Sequence, residues 1–237
     1  MHVKSLNIIK QGTLTFDAFE EPDLSLIGLK KLAGVGGGST VTYIESDKKI
    51  LVDTGFDFEE NLSKDNIKQN NIKLTQSLDH FGLKADGIDI VFITHWHLDH
   101  FGNIDLFKNS EILTSNTAEP HMDAVGIPDG QYIADGVKVI HTPGHTKDHA
   151  SLLLKTENLQ YSLSMGSGGR IYRTGELNIV VAGDAVVSPF YYYSNRIYAY
   201  NQDFFNKEAG LESVEKIKNA ADYIISGHGG IFRNSTR

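Results

Sequence analysis

The densest run of chemistry-bearing side chains is His95-x-His97-x-Asp99-His100, four potential metal ligands within six residues. Burying such groups unpaired costs roughly 1–3 kcal/mol each, so the run makes a poor core and a good site. A cation removes that cost by taking the imidazole nitrogens and the carboxylate as ligands. Three more segments carry the same residue types into glycine-flanked turns: Pro143-Gly144-His145-Thr146, Gly183-Asp184-Ala185 and Gly227-His228-Gly229-Gly230. Imidazole and carboxylate without thiolate suit Zn, Mn, Fe, Co or Ni, and discriminate poorly among them.

Each of these segments directly follows a run that reads as a strand, at residues 88–93, 137–142, 177–182 and 223–226. Four strands ending in His or Asp can gather ligands along one edge of a sheet. The β-branched runs 41–44 and 50–52, joined by Ser46-Asp47-Lys48-Lys49, predict a hairpin, and further strands are expected at 112–115 and 150–156. Ile67, Leu74, Leu78 and Phe81 recur at helical spacing over 61–81, with Gly82 placed to end the helix. A second helix is expected over 207–221, with Leu211, Val214, Ile217 and Ala221 on its apolar face. No repeat, low-complexity tract or linker divides the chain, so residues 1–237 read as one α/β domain.

The 237 residues carry 22 Lys+Arg against 30 Asp+Glu, a net charge of −8. That balance argues against a general nucleic-acid binder, although two bound divalent cations would bring it to about −4. The absence of cysteine excludes disulfides, thiolate metal sites, iron–sulfur clusters and a cysteine nucleophile. The amino-terminal residues lack the apolar run of a signal peptide, and no stretch approaches the ~18–20 apolar residues of a membrane span. The expected setting is cytoplasmic, with a small-molecule substrate, no nucleic-acid or membrane partner, and homo-oligomerisation left open.

The sequence resembles the metallo-β-lactamase superfamily through Val41-Thr42-Tyr43-Ile44 to Asp53-Thr54-Gly55, Thr94-His95-Trp96-His97-Leu98-Asp99-His100, His141-Thr142-Pro143-Gly144-His145-Thr146, Val181-Ala182-Gly183-Asp184-Ala185 and Ser226-Gly227-His228-Gly229-Gly230, in the family order. The resemblance implies a four-layer αββα sandwich with two divalent metal ions at one edge of two sheets, zinc expected ahead of Fe, Mn, Co or Ni. One ion would take His95, His97 and His145, the other Asp99, His100 and His228, with Asp184 bridging. Asp53 would stand behind the ligands, although a polar turn after a strand explains it nearly as well.

A water shared by two cations can fall from a pKa near 16 to about 7, so the implied reaction is hydrolysis by a bridging hydroxide, with Asp99 orienting it or passing a proton to the leaving group. An ester, lactone or thioester is the expected substrate. The alternatives are a mononuclear-iron sulfur dioxygenase, a phosphodiesterase of the same superfamily, or a metal-binding protein of low activity that works through partners. His97 stands where flavodiiron-type oxygen reductases carry Glu, and the lack of cysteine excludes β-lactamase classes with a cysteine ligand. His145-Thr146-x-x-His149-Ala150-Ser151 looks most like lactonases. Only five arginines weaken a polyphosphate or RNA substrate.

Substrate choice is expected between residues 188 and 205, where Phe190, Tyr191, Tyr192, Tyr193, Tyr198, Tyr200, Phe204 and Phe205 supply eight of the 23 aromatics. Tyr191 and Tyr192 are the named candidates, since tyrosine combines apolar area with a hydroxyl for an acyl oxygen; a packed loop or a subunit interface explains the run about as well. Gly34-Val35-Gly36-Gly37-Gly38-Ser39 lacks the Gly-Lys-Ser/Thr ending of a P-loop, and Ser167 lacks the spacing of a hydrolase nucleophile. His2, His80, His121, His141 and His149 are expected at the surface or behind the ligands, His149 being the hardest to assign.

Overall fold

Strict alternation along the strands decides the architecture. Ile50 and Val52 join one apolar cluster while Leu51 joins another; Ile90 and Phe92 part from Val91 in the same way. Leu152 and Leu154 part from Leu153, and Ile179 and Val181 from Val180. Side chains of successive strand residues point to opposite faces, so strands apolar on both faces must be covered on both.

The computed structural model describes residues 2–13, 38–57, 63–119, 121–162, 170–199 and 204–236, with the side chains of 158–162 and 170–174 left aside. One sheet runs in the order β1 (Ser5–Lys10), β2 (Val41–Glu45), β3 (Lys49–Val52), β4 (Ile90–Phe92), β5 (Glu111–Ser115), β6 (Val125–Ile127). The other runs from β12 (Ile231–Arg233) through β11 (Tyr223–Ser226), β10 (Arg170–Gly183), β9 (Ala150–Ser162) and β8 (Val137–His141) to β7 (Tyr132–Ala134). Both are mixed, with β3, β4 and β5 parallel in the first and β10 and β11 parallel in the second.

The central core lies between the sheets, where Ile50, Val52 and Phe92 meet Val139, Leu152, Leu154 and Val181. Each fully buried aliphatic of this kind contributes roughly 1.5–3 kcal/mol. Outside the first sheet, α1 (Lys64–His80) places Leu74 and Leu78 against Tyr43, Leu51 and Val91. Outside the second, α4 (Lys207–Ala220) places Val214 and Ile217 against Val180, Ala182 and Ile224. The result is a four-layer αββα sandwich. Ser63 caps α1 by accepting from Asn66 N, and Asn206 caps α4 by accepting from Ala209 N, each satisfying an end donor the helix leaves open.

The element boundaries differ from the sequence reading in instructive ways. The strand expected at 88–93 is reduced to Ile90–Phe92, preceded by a 3-10 turn at Ala85–Gly87. The strands expected at 150–156 and 177–182 extend into one long hairpin, Ala150–Ser162 with Arg170–Gly183. Leu211 is 44% exposed, so the apolar face of α4 is narrower than its sequence suggests. Two short helices, α2 (Leu98–Phe101) and α3 (Pro189–Tyr193), have no counterpart in the periodicity. The start of the helix expected at 61, the glycines at 34–37, Ser167 and Tyr200 lie outside the described residues.

Candidate metal centre

Five strand ends reach one edge of the sandwich, because β3 and β4 are parallel, β10 and β11 are parallel, and β8 runs with β10 across the intervening antiparallel β9. Each delivers its polar segment there: β3 delivers Asp53, β4 the run from Thr94 to His100, β8 the turn with His145, β10 Asp184, and β11 His228. The turns have to be tight. A Cβ on Gly227 would stand 1.9 Å from Asp184 Oδ1, so only glycine lets the strand pass that carboxylate. Gly144, at φ +145, would place a Cβ 2.3 Å from Gly210 Cα in α4. Gly144 O accepts from Phe205 N and Asn206 N, and Ser213 Oγ donates to Pro143 O at 2.6 Å. The His145 turn is thereby fixed to the first turns of α4.

All seven residues named from the sequence come together. His97 Nδ1 lies 2.9 Å from His95 Nε2 and 3.0 Å from His145 Nε2. Asp99 Oδ2 is 3.2 Å from His228 Nε2 and 3.7 Å from His100 Nε2. Asp184 stands between the two groups, with Oδ2 3.3 Å from His145 Nε2 and 3.4 Å from His228 Nε2, and Oδ1 3.4 Å from His100 Nε2. Three overlapping sets have the compactness of a metal site: His95, His97 and His145; His95, His100 and Asp184; Asp99, His100 and His228.

A buried acid supports this cluster from behind. Asp53 Oδ2 accepts from His100 Nδ1 at 2.7 Å and from Thr94 Oγ1 at 2.9 Å, while Oδ1 accepts from Thr94 N at 2.9 Å. Its backbone adopts φ +58, a left-handed conformation that Asp tolerates better than most residues. The hydrogen bond on Nδ1 leaves His100 Nε2 facing the cluster, as a carboxylate behind a ligating imidazole does. Thr54 N and Oγ1 both donate to His100 O, and Ser39 Oγ and Phe56 N both donate to Asp99 O.

The electrostatics divide the cluster. Burial holds His95 well below the ordinary imidazole range, and neighbouring imidazoles add to the effect. Burial likewise pushes His145 down to about 4, outweighing the pull of Asp184. Burial opposes charge on His228 and His100 too, yet carboxylates win there: Asp184 and Asp99 raise His228 to about 10, and Asp53, Asp99 and Asp184 raise His100 well above its usual value. Against the same burial, His228, His100 and His145 hold Asp184 well below the carboxylate range.

These residues fit a metal. His100 Nε2 and Asp184 Oδ1 are buried and face each other at 3.4 Å without another hydrogen-bond partner, and such a pair of donor atoms is what a cation between them would take up. The donor set is nitrogen and oxygen only, suited to Zn, Mn, Fe, Co or Ni.

The aromatic segment splits in two. Tyr192 is buried among Val186, Val214 and Ile217, and its hydroxyl donates to Asn234 Oδ1 at 2.6 Å. Tyr191 packs edge-on against Tyr198 with ring centres 5.6 Å apart, and Tyr198 lies 6.3 Å from the His145 ring. Asp184, Tyr191, Arg196, Ile197, Tyr198 and Val214 border a crevice of about 10 Å³. Sequence reasoning named Tyr198 only as one of the aromatic run, not as the ring beside His145, and did not name Thr94 as the partner of Asp53; the position of Thr94 next to His95 was the available signal.

A sequence model of the Metallo-beta-lactamase superfamily matches residues 34–115. The chain is 30% identical over 200 residues to the metallo-beta-lactamase domain-containing protein 1 of Xenopus laevis, an overlap covering 82% of this chain and 72% of that protein. It is 29% identical over 144 residues to an atrochrysone carboxyl ACP thioesterase of Emericella nidulans, covering 56% of this chain and 42% of that protein; the chain thus spans less than half the length of this relative. Among solved structures, a quorum-quenching N-acyl homoserine lactone lactonase superposes with a TM-score of 0.62 at 20% identity, covering 96% of this chain and 93% of that one. At that identity the likeness concerns the fold.

Proposed function

Since the chain belongs to the metallo-beta-lactamase superfamily and is a metal-dependent hydrolase, we propose that it cleaves an ester, lactone or thioester with two divalent cations, zinc first. The observation that carries this reading is Asp184: one carboxylate within 3.4 Å of His145 on one side and of His100 and His228 on the other. His95, His97 and His145 would hold one cation, Asp99, His100 and His228 the other, and Asp184 both. When bound, such ions supply Lewis acidity and bring water within reach of ionisation near neutral pH.

The chain's own residues do the rest. Asp53 holds His100 in the tautomer that presents Nε2. Asp99 Oδ2, beside His228 Nε2 and 17% exposed in its side chain, has access to solvent and is placed to orient a water or pass a proton to the leaving oxygen or sulfur. Tyr198 and Tyr191 would form a substrate wall next to His145, with Tyr192 supporting it from beneath through Asn234. The acyl-carrier-protein thioesterase relative supports an acyl substrate. Among the described residues no helix is long and apolar enough to cross a membrane.

Elemental analysis with a panel of lactone, thioester and phosphodiester substrates tests the proposal. About two metals per chain with turnover on an acyl substrate supports it. About one iron with oxygen uptake would assign a sulfur dioxygenase instead, and turnover confined to bis-p-nitrophenyl phosphate would assign a phosphodiesterase.

A further inference from the structure

The turn carrying Asp184 is bracketed by a hydrogen-bond chain that includes none of the seven clustered side chains. Ser151 Oγ donates to Ala182 O at 3.0 Å. With that proton committed, Ser151 Oγ accepts from Thr142 Oγ1 at 2.7 Å. Thr142 Oγ1 must then accept, at 2.9 Å, from His149 Nδ1, which fixes the ring proton on Nδ1. The lone pair on His149 Nε2 is left to accept from Ala185 N at 3.2 Å. The chain begins at the amide just after Asp184 and ends at the carbonyl just before Gly183. Thr142, His149 and Ser151 are all at most 1% exposed. Only one tautomer satisfies every member, because a proton on Nε2 would face the Ala185 N–H with a second donor.

We propose that His149 is a positioning residue for Asp184: as a neutral Nδ1–H imidazole it grips the Ala185 amide and sets the carboxylate where both halves of the cluster reach it. The inference rests on the reading of Asp184 as a shared ligand. It assigns work to the histidine that sequence alone could not place, four residues past His145.

Two variants separate the ends of the ring. In His149→Asn the amide can still donate towards Thr142 but presents nothing to Ala185; in His149→Gln the side-chain oxygen can still accept from Ala185 N. Zinc retained at buffered free zinc, the thermal midpoint of the metal-free protein and the long-range ¹H–¹⁵N spectrum of the imidazoles are measured for each. The expected result is an Nδ1–H tautomer for His149 in the unsubstituted protein, and in His149→Asn an affinity about 10–100-fold weaker for one of the two ions, the usual cost of losing support behind a ligand. His149→Gln should recover most of that affinity although its metal-free thermal midpoint falls as far. Wild-type affinity for both ions in His149→Asn, equal losses in both variants, or a proton on Nε2 would overturn the assignment. Asp184→Asn is run in parallel. If it also binds both ions normally, the ligand reading of Asp184 fails and takes the inference with it; if it loses an ion while His149→Asn does not, the inference fails alone.

Discussion

The two halves of the cluster, a few ångströms apart, are prepared for a cation in opposite ways. His95 and His145 are kept neutral by burial, His145 with a pKa near 4, so these two offer lone pairs without giving up protons. His100 and His228 are wrapped by Asp53, Asp99 and Asp184 and hold protons at neutral pH, His228 to about 10. A cation there must displace those protons, whose charge it replaces beside the same carboxylates. The difference teaches that one motif, His95 to His100, contributes imidazoles of opposite protonation, and that the decisive variable is where the carboxylates lie.

Substitution of Asp184 should erase the difference and have the largest effect. Asp184→Ala is expected to lower kcat by at least about a thousandfold, since several kcal/mol of stabilisation depend on the ions, and to leave fewer than two metals per chain by elemental analysis. Asp99→Asn acts on the acidic half alone, and steady-state kinetics should show kcat down by about 10²–10⁴-fold with the imidazole trio still loaded.

The pH dependence of metal binding addresses the contrast directly. His100 and His228 have raised values, so they are protonated below those values and compete with metal as pH falls. His95 and His145 have lowered values and stay neutral across pH 6–8. Between pH 8 and pH 6 one ion should therefore weaken by up to about a hundredfold per pH unit, two protons being displaced, while the other weakens less, because His95 and His145 give up none. Calorimetric titration in buffers of different ionisation enthalpy reads both the affinity and the proton count. Asp53→Asn removes the carboxylate behind His100 and should weaken the acidic-half ion by about 10–100-fold, leaving the trio unchanged. Smallest of all, Tyr198→Ala should raise KM several-fold and leave metal content alone, as measured on whichever acyl substrate turns over.

Much of this was legible in the sequence because the strands are short, apolar and followed at once by their polar turns. Residues 223–226 could be read to the residue. The edge strands β1, β6, β7 and β12 were not legible: Val125-Gly126-Ile127 and Tyr132-Ile133-Ala134 are too short for a period, and pairing with a neighbour makes them strands. The seven side chains that cluster stood out through residue type and spacing. Tyr192 did not, because a tyrosine in an aromatic run looks the same whether its hydroxyl meets a substrate or Asn234. His149 was ambiguous for a similar reason, its partners being the Ala185 amide and the Thr142 hydroxyl, which only the folded chain brings to the ring.

The near-contact of Gly144 with Gly210 ties an imidazole in the interior to the outermost layer of the molecule. Because no side chain cushions that crossing, a methyl group at Gly144 would have to push the Asn206-capped helix away from the turn that carries His145.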